Sequence, residues 1–374
     1  MTRDISTFDI RVPEAKLSFT LKQESFMATV KYGVIGAGSI AQFRHVPEIY
    51  NNPNAELVAI VDINKDRCNM VCEKYDAKPY YDYKKMLADE KLDAVVVATP
   101  NYLHAQQTID SLKAGCHVLV EKPMATTRAD AKKMIATAKQ KRKDLMIGMN
   151  QRLMAPHVKA KEVLETGKLG KVLSFETTFK HGGPDGWSQD GAASWFFVKN
   201  KAVMGVTGDL GVHKADLMRY LLGEEFVEVT GFIGTLDKTN DKGKIINIDD
   251  NAYISMKSKS GTLGTMTISW TNYGNMEDNG TTLYCENGVM LISRCKEFGV
   301  KVLYKNGQAE FHKVGKVATN TEQVGSGVSD MFTDCIQNRK KPSIDGMEGY
   351  RAIDIIISAM ESAKTGKAKK ISLR

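Results

Sequence analysis

The sequence predicts an α/β protein in which a doubly wound parallel-sheet domain is followed by an α+β domain with a large, mostly antiparallel sheet. Three observations support this prediction. The chain has 374 residues, enough for two domains of ordinary size. Strand-like and helix-like segments alternate from Val30 to Asn150, as they do around a parallel sheet. After Asn150, strand-like segments follow one another with few helices between them, which is typical of antiparallel pairing.

The first domain is predicted from residues 28–150. Its strand-like segments are rich in β-branched residues, and its helix-like segments carry apolar residues at helical spacing. The strands are predicted at 30–38, 55–63, 92–100, 117–123 and 145–150, and the helices at 39–50, 66–75, 104–115 and 129–142. Residues 1–27 precede the first recognisable strand, so we interpret them as an N-terminal extension or arm; a tag or a misassigned start is an equal alternative.

The second domain is predicted from residues 151–374. Its helices are expected at 157–167, 211–223 and 352–366, and its strands at 171–182, 224–234, 251–258, 261–271, 280–287 and 288–294. The last helix is expected to pack back on a core, with the first domain as one candidate. A long insertion, residues 182–209, follows the first strand and contains Trp187 and Trp195. A loop of that length in a compact domain is usually functional.

The composition excludes several classes of protein. The 52 Lys and Arg residues against 44 Asp and Glu residues give a charge of +8, but the basic residues are spread along the chain, so nucleic acid is not an expected partner. The chain contains no run of 18 apolar residues, so no membrane span is predicted, and the first 26 residues lack the apolar core of a secretory signal. The six cysteines form no CxxC pair and no zinc set. We therefore expect a cytoplasmic protein without a metal site.

A glycine-rich turn follows the first predicted strand. It reads Gly36-Ala37-Gly38-Ser39-Ile40-Ala41 and matches the GxGxxG/A pattern that places a pyrophosphate at a helix N-terminus. Asp62 ends the second predicted strand, where a carboxylate can accept hydrogen bonds from the adenosine ribose. Because the same carboxylate repels a 2′-phosphate, NAD is favoured over NADP, although Lys65 and Arg67 lie nearby.

Polar residues follow two further strands of this domain, at the edge where ligands of such sheets bind. Lys122 stands before a proline and is expected to project toward the cofactor; a surface lysine is the alternative. His104 opens a helix, where packing is favoured over catalysis. The complete set of predicted cofactor-binding residues is Gly36, Gly38, Ser39, Ile40, Asp62, Thr99, Asn101, His104, Glu121, Lys122 and Asn150.

A second polar cluster lies in the segment Gly208-Asp209-Leu210-Gly211-Val212-His213. In a regular helix Asp209 and His213 share a face and can form a hydrogen bond. A carboxylate beside an imidazole orients the ring and raises its basicity, which suits proton removal from an alcohol. Such a pair is structural more often than catalytic, but its position after a glycine-rich loop, together with Lys122, favours catalysis.

These segments, in this order and spacing, resemble the glucose-fructose oxidoreductase, inositol dehydrogenase and MocA superfamily. The matching motifs are GAGSIA, Asp62, ATPNYLH, EKP, MNQR and GDLGVHKADLMRYLLG. The resemblance covers about residues 29–372 and implies a Rossmann domain followed by an α+β domain whose open-faced sheet forms the substrate pocket and the contacts of a homo-oligomer. It also implies that Lys122, Asp209 and His213 are the catalytic residues.

The leading hypothesis is an NAD-dependent dehydrogenase acting on a ring hydroxyl of a sugar, a glycoside (at C3, for example) or a cyclitol. His213 takes the proton, Lys122 stabilises the alkoxide and Asp209 orients His213. The predicted substrate-binding residues are Lys122, Arg152, His181, Trp195, Asp209, His213 and Asp216. Retention of NAD between turnovers is left open. A glycosidase of the same fold, working by oxidation, elimination and reduction, and a non-catalytic NAD or sugar sensor are the alternatives.

Overall fold

The computed structural model describes residues 28–274, 277–315 and 325–372, which form two β-sheets with helices packed on them. The extension predicted at residues 1–27 lies outside the described residues. No helix in the described part of the chain combines the length and the apolar character needed to cross a bilayer.

The first sheet is parallel and has six strands in the order β3-β2-β1-β4-β5-β6, as expected of a dinucleotide-binding domain. The strands are β1 (Val30–Ile35), β2 (Ala55–Val61), β3 (Lys78–Tyr80), β4 (Ala94–Val97), β5 (His117–Val120) and β6 (Leu145–Ile147). The helices are α1 (Val46–Asn51), α2 (Lys65–Tyr75), α3 (Tyr83–Asp89), α4 (His104–Lys113) and α5 (Arg128–Lys141). A π-helical turn at Ala41–His45 leads into α1.

The predicted alternation of strands and helices in the first domain is confirmed, and its central strands are buried on both faces. Every residue of β4 is buried, which explains its unbroken run of apolar residues. Two elements were not predicted, namely β3 and α3. Both are short, and the Lys-Pro-Tyr sequence of β3 has only one buried residue, Tyr80, so it gives no strand signal.

The second sheet has nine strands in the order β14-β13-β12-β11-β7-β10-β9-β8-β15. They are β7 (Val172–Lys180), β8 (Phe226–Gly234), β9 (Asn251–Ser258), β10 (Leu263–Ser269), β11 (Thr281–Cys285), β12 (Gly288–Ile292), β13 (Val300–Tyr304), β14 (Ala309–His312) and β15 (Lys369–Lys370). The helices of this part are α6 (Ala155–Glu165), α7 (Lys199–Ala202), α8 (Val212–Leu222), α9 (Val328–Gln337) and α10 (Gly346–Thr365).

This sheet is mixed, because β7 and β10 pair in parallel while the other neighbours are antiparallel. After β7 the chain passes through the insertion and α8 and forms β8 and β9. It then forms β10, which lies beside β7 and runs in the same direction. One face of the sheet packs on α6, α8 and α10. Exposed apolar side chains lie on the other face, opposite each other on neighbouring strands. Phe232 of β8 pairs with Tyr253 of β9, which pairs with Thr267 of β10.

The C-terminal helices contact both sheets. Helix α10 packs against β8 and α8 and also against α5 and β6, and α9 packs against β1 and β5. Arg128 of α5 forms ion pairs with Asp354 and Glu361 of α10, each at 2.5 Å. The last part of the chain therefore joins the two sheets into one structure.

A buried ionic network fixes the start of α6 to α8 and α10. Arg152 donates hydrogen bonds to both carboxylate oxygens of Asp216, at 2.7 and 2.5 Å, and to Glu348 at 2.5 Å. Arg219 donates to Glu348 at 3.1 Å and to Glu225 at 2.7 Å. The Arg152 and Asp216 side chains are 8% and 1% exposed, so each needs the other as a counter-ion.

We predict that Arg152→Met destabilises the protein by about 3 kcal/mol, because the buried Asp216 carboxylate loses its main partner. The loss is at the low end for a broken buried pair because Arg219 lies 4.0 Å from Asp216. Urea unfolding measures the change. Lys159→Met is the control, since it removes an exposed pair with Glu162 on α6 and is expected to cost well under about 1 kcal/mol. Unchanged stability with a raised substrate KM would instead assign Arg152 to substrate binding.

Candidate active site

A cavity of about 610 Å³ lies between the two sheets, at the carboxyl ends of β1, β4 and β5. All of the predicted cofactor-binding residues line it, as do five of the seven predicted substrate-binding residues, namely Lys122, His181, Trp195, Asp209 and His213. The structure therefore brings these residues, which come from segments far apart in the chain, to one cavity.

The glycine-rich turn is shaped by close backbone contacts on one side and open space on the other. Gly36 has φ of +101°, and a Cβ atom there would lie 2.5 Å from the carbonyl oxygen of Ala98. A Cβ atom on Gly38 would meet nothing within 4 Å, and this residue lines the cavity. Only glycine fits the first position, and the second leaves the backbone accessible to a phosphate group.

Asp62 is held beside this turn. Its carboxylate accepts hydrogen bonds from the Ala37 and Asn64 amides, both at 2.8 Å, and from two nitrogens of Arg67 at 3.2 and 3.0 Å. The carboxylate thus neutralises the cation that could otherwise attract a 2′-phosphate. This arrangement fits NAD, as the sequence predicts.

The loop after β4 brings three predicted residues to the cavity. Asn101 donates to the carbonyl oxygen of Ala202 at 2.9 Å, which connects this loop to α7. The two ring nitrogens of His104 lie 2.8 Å from the Pro123 carbonyl oxygen and 2.7 Å from that of Thr99. Burial lowers the pKa of His104. These contacts support the structural interpretation of His104, since the ring joins the loops after β4 and β5.

Glu121 supports Lys122 from the Rossmann side. Its carboxylate accepts hydrogen bonds from His45 at 2.8 Å, from Arg44 at 3.2 Å and from the Lys122 backbone amide at 3.1 Å. Burial alone would raise the pKa of Glu121, but the bond from His45 and the charge of Arg44 outweigh it and hold the pKa below its usual range. His45 also bonds the Ser329 hydroxyl at 3.1 Å. The main chain at Lys122 is therefore fixed before any ligand binds.

Lys122 and Asp209 form an ion pair across the two domains. The Lys122 ammonium donates to Asp209 Oδ1 at 2.7 Å and to the Asp209 carbonyl oxygen at 3.0 Å. Trp270 Nε1 donates to Asp209 Oδ2 at 3.1 Å. Because an ammonium group has three N–H donors, one is left for an oxygen in the cavity.

The predicted hydrogen bond from Asp209 to His213 is not formed. Both residues are described, and the side-chain bonds of Asp209 go to Lys122 and Trp270 instead. The Asp209 carboxylate, in the π-helical turn Thr207–Gly211, is already held by these two partners, and His213 Nδ1 is left without a hydrogen-bond partner among the described residues. Asp209 thus orients Lys122 and not His213, which corrects the role that the sequence predicts for it.

His213 lies in the cavity wall as a neutral imidazole. Burial, reinforced by the positive charge of Lys122, holds the pKa of His213 well below its usual value of 6.5. Its Nδ1 has no hydrogen-bond partner among the described residues, and the Phe179 ring lies 6.2 Å away between centroids. A neutral imidazole is able to accept a proton at neutral pH.

The inserted segment covers the cavity with aromatic side chains. It contains short 3₁₀ turns at Pro184–Gly186, Gly191–Ala193 and Trp195–Phe197. The Trp195 ring stacks on Phe196 at 3.9 Å, and the Trp187 ring meets Phe196 edge-on at 5.2 Å. Trp195 is therefore both packed against Phe196 and part of the cavity wall.

The same segment reaches the glycine-rich turn. The Gln189 amide donates to the Ser39 hydroxyl at 3.1 Å, and Asp190 lies 3.7 Å from Arg67. Both contacts bridge residues of the second domain and the cofactor-binding edge of the first. The insertion therefore forms a roof over the predicted pyrophosphate and adenosine region.

Two predicted substrate-binding residues, Arg152 and Asp216, do not line the cavity, because they form the buried ion pair described above. Conversely, the structure adds residues that sequence reasoning missed. Trp270 bonds Asp209 from a strand end 61 residues away, and Gln151, adjacent to the predicted Asn150, lines the cavity. The sequence gives no signal for Trp270. The position of Gln151 shortly after β6 and next to Asn150 is a signal that could have identified it.

Comparison with known proteins identifies the family. Residues 30–149 match the model described as "Oxidoreductase family, NAD-binding Rossmann fold", and residues 157–291 match the "GFO/IDH/MocA C-terminal domain". The chain belongs to the Gfo/Idh/MocA oxidoreductase family. The family resemblance, the α/β fold with its mostly antiparallel second sheet, the oxidoreductase class and NAD as the cofactor are thereby confirmed.

Relatives align over nearly the whole chain. A myo-inositol 2-dehydrogenase of Thermotoga maritima is 30% identical over 344 residues, 91% of this chain and 98% of the relative. A D-glucoside 3-dehydrogenase of Escherichia coli is 25% identical over 365 residues, 92% of this chain and 99% of the relative. A levoglucosan dehydrogenase solved with NADH and levoglucosan has a TM-score of 0.79 at 22% identity, covering 92% of this chain and 99% of its own.

We predict that the acidic limb of the pH profile for substrate oxidation lies below pH 6.5. A base must be unprotonated to act, and the lowered pKa of His213 keeps it so from pH 6.5 upward. Values of kcat/KM measured across this range should therefore be constant from pH 6.5 to neutrality. A limb centred above pH 6.5 that disappears in His213→Asn would contradict the burial argument.

Proposed function

We propose that this protein oxidises or reduces a secondary ring hydroxyl of a sugar, glycoside or cyclitol with NAD as the hydride carrier. One observation carries the proposal. The Lys122–Asp209 pair and the neutral His213 line the same cavity as the glycine-rich turn and Asp62. A proton-transfer site and a dinucleotide site in one cavity are what hydride transfer from an alcohol requires.

Each residue has one task in the oxidation. The substrate hydroxyl lies between Lys122 and His213, and the proton passes to the neutral His213 imidazole. The remaining N–H of Lys122 stabilises the negative charge that develops on the substrate oxygen. Asp209, itself fixed by Trp270, keeps the ammonium group in place. Bound NAD supplies the hydride acceptor, and the same residues serve the reverse reduction.

The names of the relatives support a cyclic substrate. The relatives described above are named for a cyclitol, a glucoside and an anhydro sugar. The aromatic lining from Trp187 and Trp195 suits the C–H face of a ring. Oxidation at C3 of a glycoside is the position we favour, with inositol as the second candidate.

Retention of NAD is part of the proposal. The contacts of Gln189 with Ser39 and of Asp190 with Arg67 must open before a dinucleotide under this roof can leave. A slow opening allows one sugar to be oxidised and another reduced on the same cofactor. Such an enzyme interconverts sugars without added NAD.

We predict that the purified protein oxidises members of a panel of methyl glucosides, free sugars and inositols, and that Lys122→Met lowers kcat by ~100-fold or more while NAD still binds. Activity is followed by mass spectrometry of products, with and without added NAD. Lys201→Met is the control for loss of a lysine, since Lys201 lines the cavity but has no ion pair with Asp209.

The outcomes separate the alternatives. Products that appear without added NAD show a retained cofactor, and a released aglycone without net oxidation shows the glycosidase. Near-normal turnover by Lys122→Met would defeat the proposed site. NAD binding without turnover of any compound would favour the sensor.

We also propose that the exposed face of the second sheet forms a homo-oligomer contact. Phe232 is 85% exposed and Tyr253 is 56% exposed, and Leu263, on the same face, is 57% exposed. Apolar side chains in register across a broad sheet are the kind of patch that a soluble chain covers with a partner. A second copy of this chain presents the same face and is the partner we propose.

We predict that the double change Phe232→Glu and Tyr253→Glu lowers the mass measured by light scattering to that of one chain, 41.4 kDa. Charges facing each other across the contact repel and resist burial. Met70→Glu, on the exposed side of α2, is the control and should leave the mass unchanged. A native protein that already has the mass of one chain would refute the contact.

A further inference from the structure

Two buried polar atoms belong to cavity-lining residues that the proposed mechanism does not use. Gln151 is 2% exposed, and its Oε1 accepts no hydrogen bond from any described residue. Trp187 lies in the inserted segment, and its Nε1 likewise has no partner among the described residues. Buried polar atoms without partners cost about 1 to 3 kcal/mol each. Both residues line the cavity, so a ligand that approaches these buried atoms and bonds them would remove this cost.

The charges of the cavity wall are almost all neutralised within the protein. Lys122 pairs with Asp209 at 2.7 Å, Arg44 pairs with Glu121 at 3.2 Å, and Arg67 pairs with Asp62 at 3.0 Å.

The remaining cation of the wall, Lys201, is exposed and has no ion pair within the described residues. A phosphate or carboxylate bound beside the reacting groups, away from the glycine-rich turn, needs a cation or several hydrogen-bond donors to offset its burial. Among the described residues, the wall around the reacting groups has no cation without a carboxylate partner.

Neutral hydrogen-bonding groups take the place of charges. His181 accepts the Gly183 amide at Nδ1, at 2.9 Å, and burial lowers the pKa of His181. The neutral ring therefore carries its proton on Nε2, as a donor. Together with the acceptor of Gln151 and the donor of Trp187, the wall matches hydroxyl groups, which both donate and accept.

We propose that the substrate is an uncharged polyhydroxylated ring, and that Gln151 and Trp187 bind hydroxyl groups beside the reacting carbon. This proposal rests on the proposed dehydrogenase function and narrows its substrate class. Glycosides and cyclitols without ionic groups fit it. Sugar phosphates, uronic acids and nucleotide-linked sugars do not, because their charges would remain unpaired in this wall.

The first experiment compares kcat/KM for methyl β-glucoside and myo-inositol with that for glucose 6-phosphate, glucuronate and UDP-glucose. We expect kcat/KM for the better neutral compound to exceed that for each charged compound by ~100-fold or more, because burial of an unpaired charge is unfavourable. A charged compound that is preferred would overturn the proposal, and loss of that preference in Lys201→Ala would show where its charge binds.

The second experiment uses Gln151→Leu and Trp187→Phe with the best neutral substrate and its monodeoxy analogues. Each variant is expected to lower kcat/KM by ~10-fold or more. For one deoxy analogue, the loss caused by Gln151→Leu should vanish, because the hydroxyl that it binds is already absent. A structural effect of the substitution would lower kcat/KM for every substrate equally. Gln106→Leu, exposed on α4, is the control for loss of a glutamine.

The outcomes distinguish this proposal from the function on which it rests. If neutral rings are oxidised but Gln151→Leu and Trp187→Phe lower kcat/KM for all analogues equally, the assignment of the recognition residues is wrong. The proposed dehydrogenase function is then unaffected. If Gln151→Leu does not fold, judged by NAD binding, Trp187→Phe carries the same test. If no ring compound of either class is turned over by NAD-bound protein, the dehydrogenase function fails and this inference fails with it.

Discussion

The ion pair between Lys122 and Asp209 is the interaction on which the active site depends, because it joins the two halves of the structure. Lys122 follows β5 of the parallel sheet, and Asp209 lies in the π-helical turn that leads to α8. Their side chains are 13% and 5% exposed, so each charge depends on the other as its counter-ion. Burial, reinforced by the positive charge of Lys122, lowers the pKa of His213 and keeps its ring neutral. The contact thus joins the two walls of the cavity and contributes to the neutral state of its base.

The parts of the fold that could be predicted from the sequence depend on short-range patterns. The alternation of strands and helices from Val30 to Asn150 is repeated at short intervals, and the central strands are buried on both faces. The glycine-rich turn needs Gly36 because a neighbouring carbonyl lies against it. Asp62 and Lys122 follow strands whose carboxyl ends meet at one edge of the sheet. The position of each of these residues is indicated by the strand that it follows in the sequence.

The parts that could not be predicted depend on contacts between distant segments or on local departures from regular geometry. The interpretation of Asp209 assumed a hydrogen bond to His213 four residues away, but Lys122 and Trp270, 87 and 61 residues away, take its carboxylate instead. Arg152 carries a charge of the right kind for substrate binding, but a buried carboxylate 64 residues away takes it. The parallel pairing of β7 with β10 follows from the path of the chain between them, which no strand pattern records.

The return of the C-terminal helices to the first sheet has a consequence for how the chain is made. Tyr32 of β1 is fully buried, and its hydroxyl bonds Thr333 of α9 at 2.8 Å. The Glu48 carboxylate accepts the Ser329 amide at 2.9 Å at the start of the same helix. The nucleotide-binding half therefore remains without one of its covering layers while the ribosome translates the second half. Its first strands must stay competent to fold until α9 has emerged.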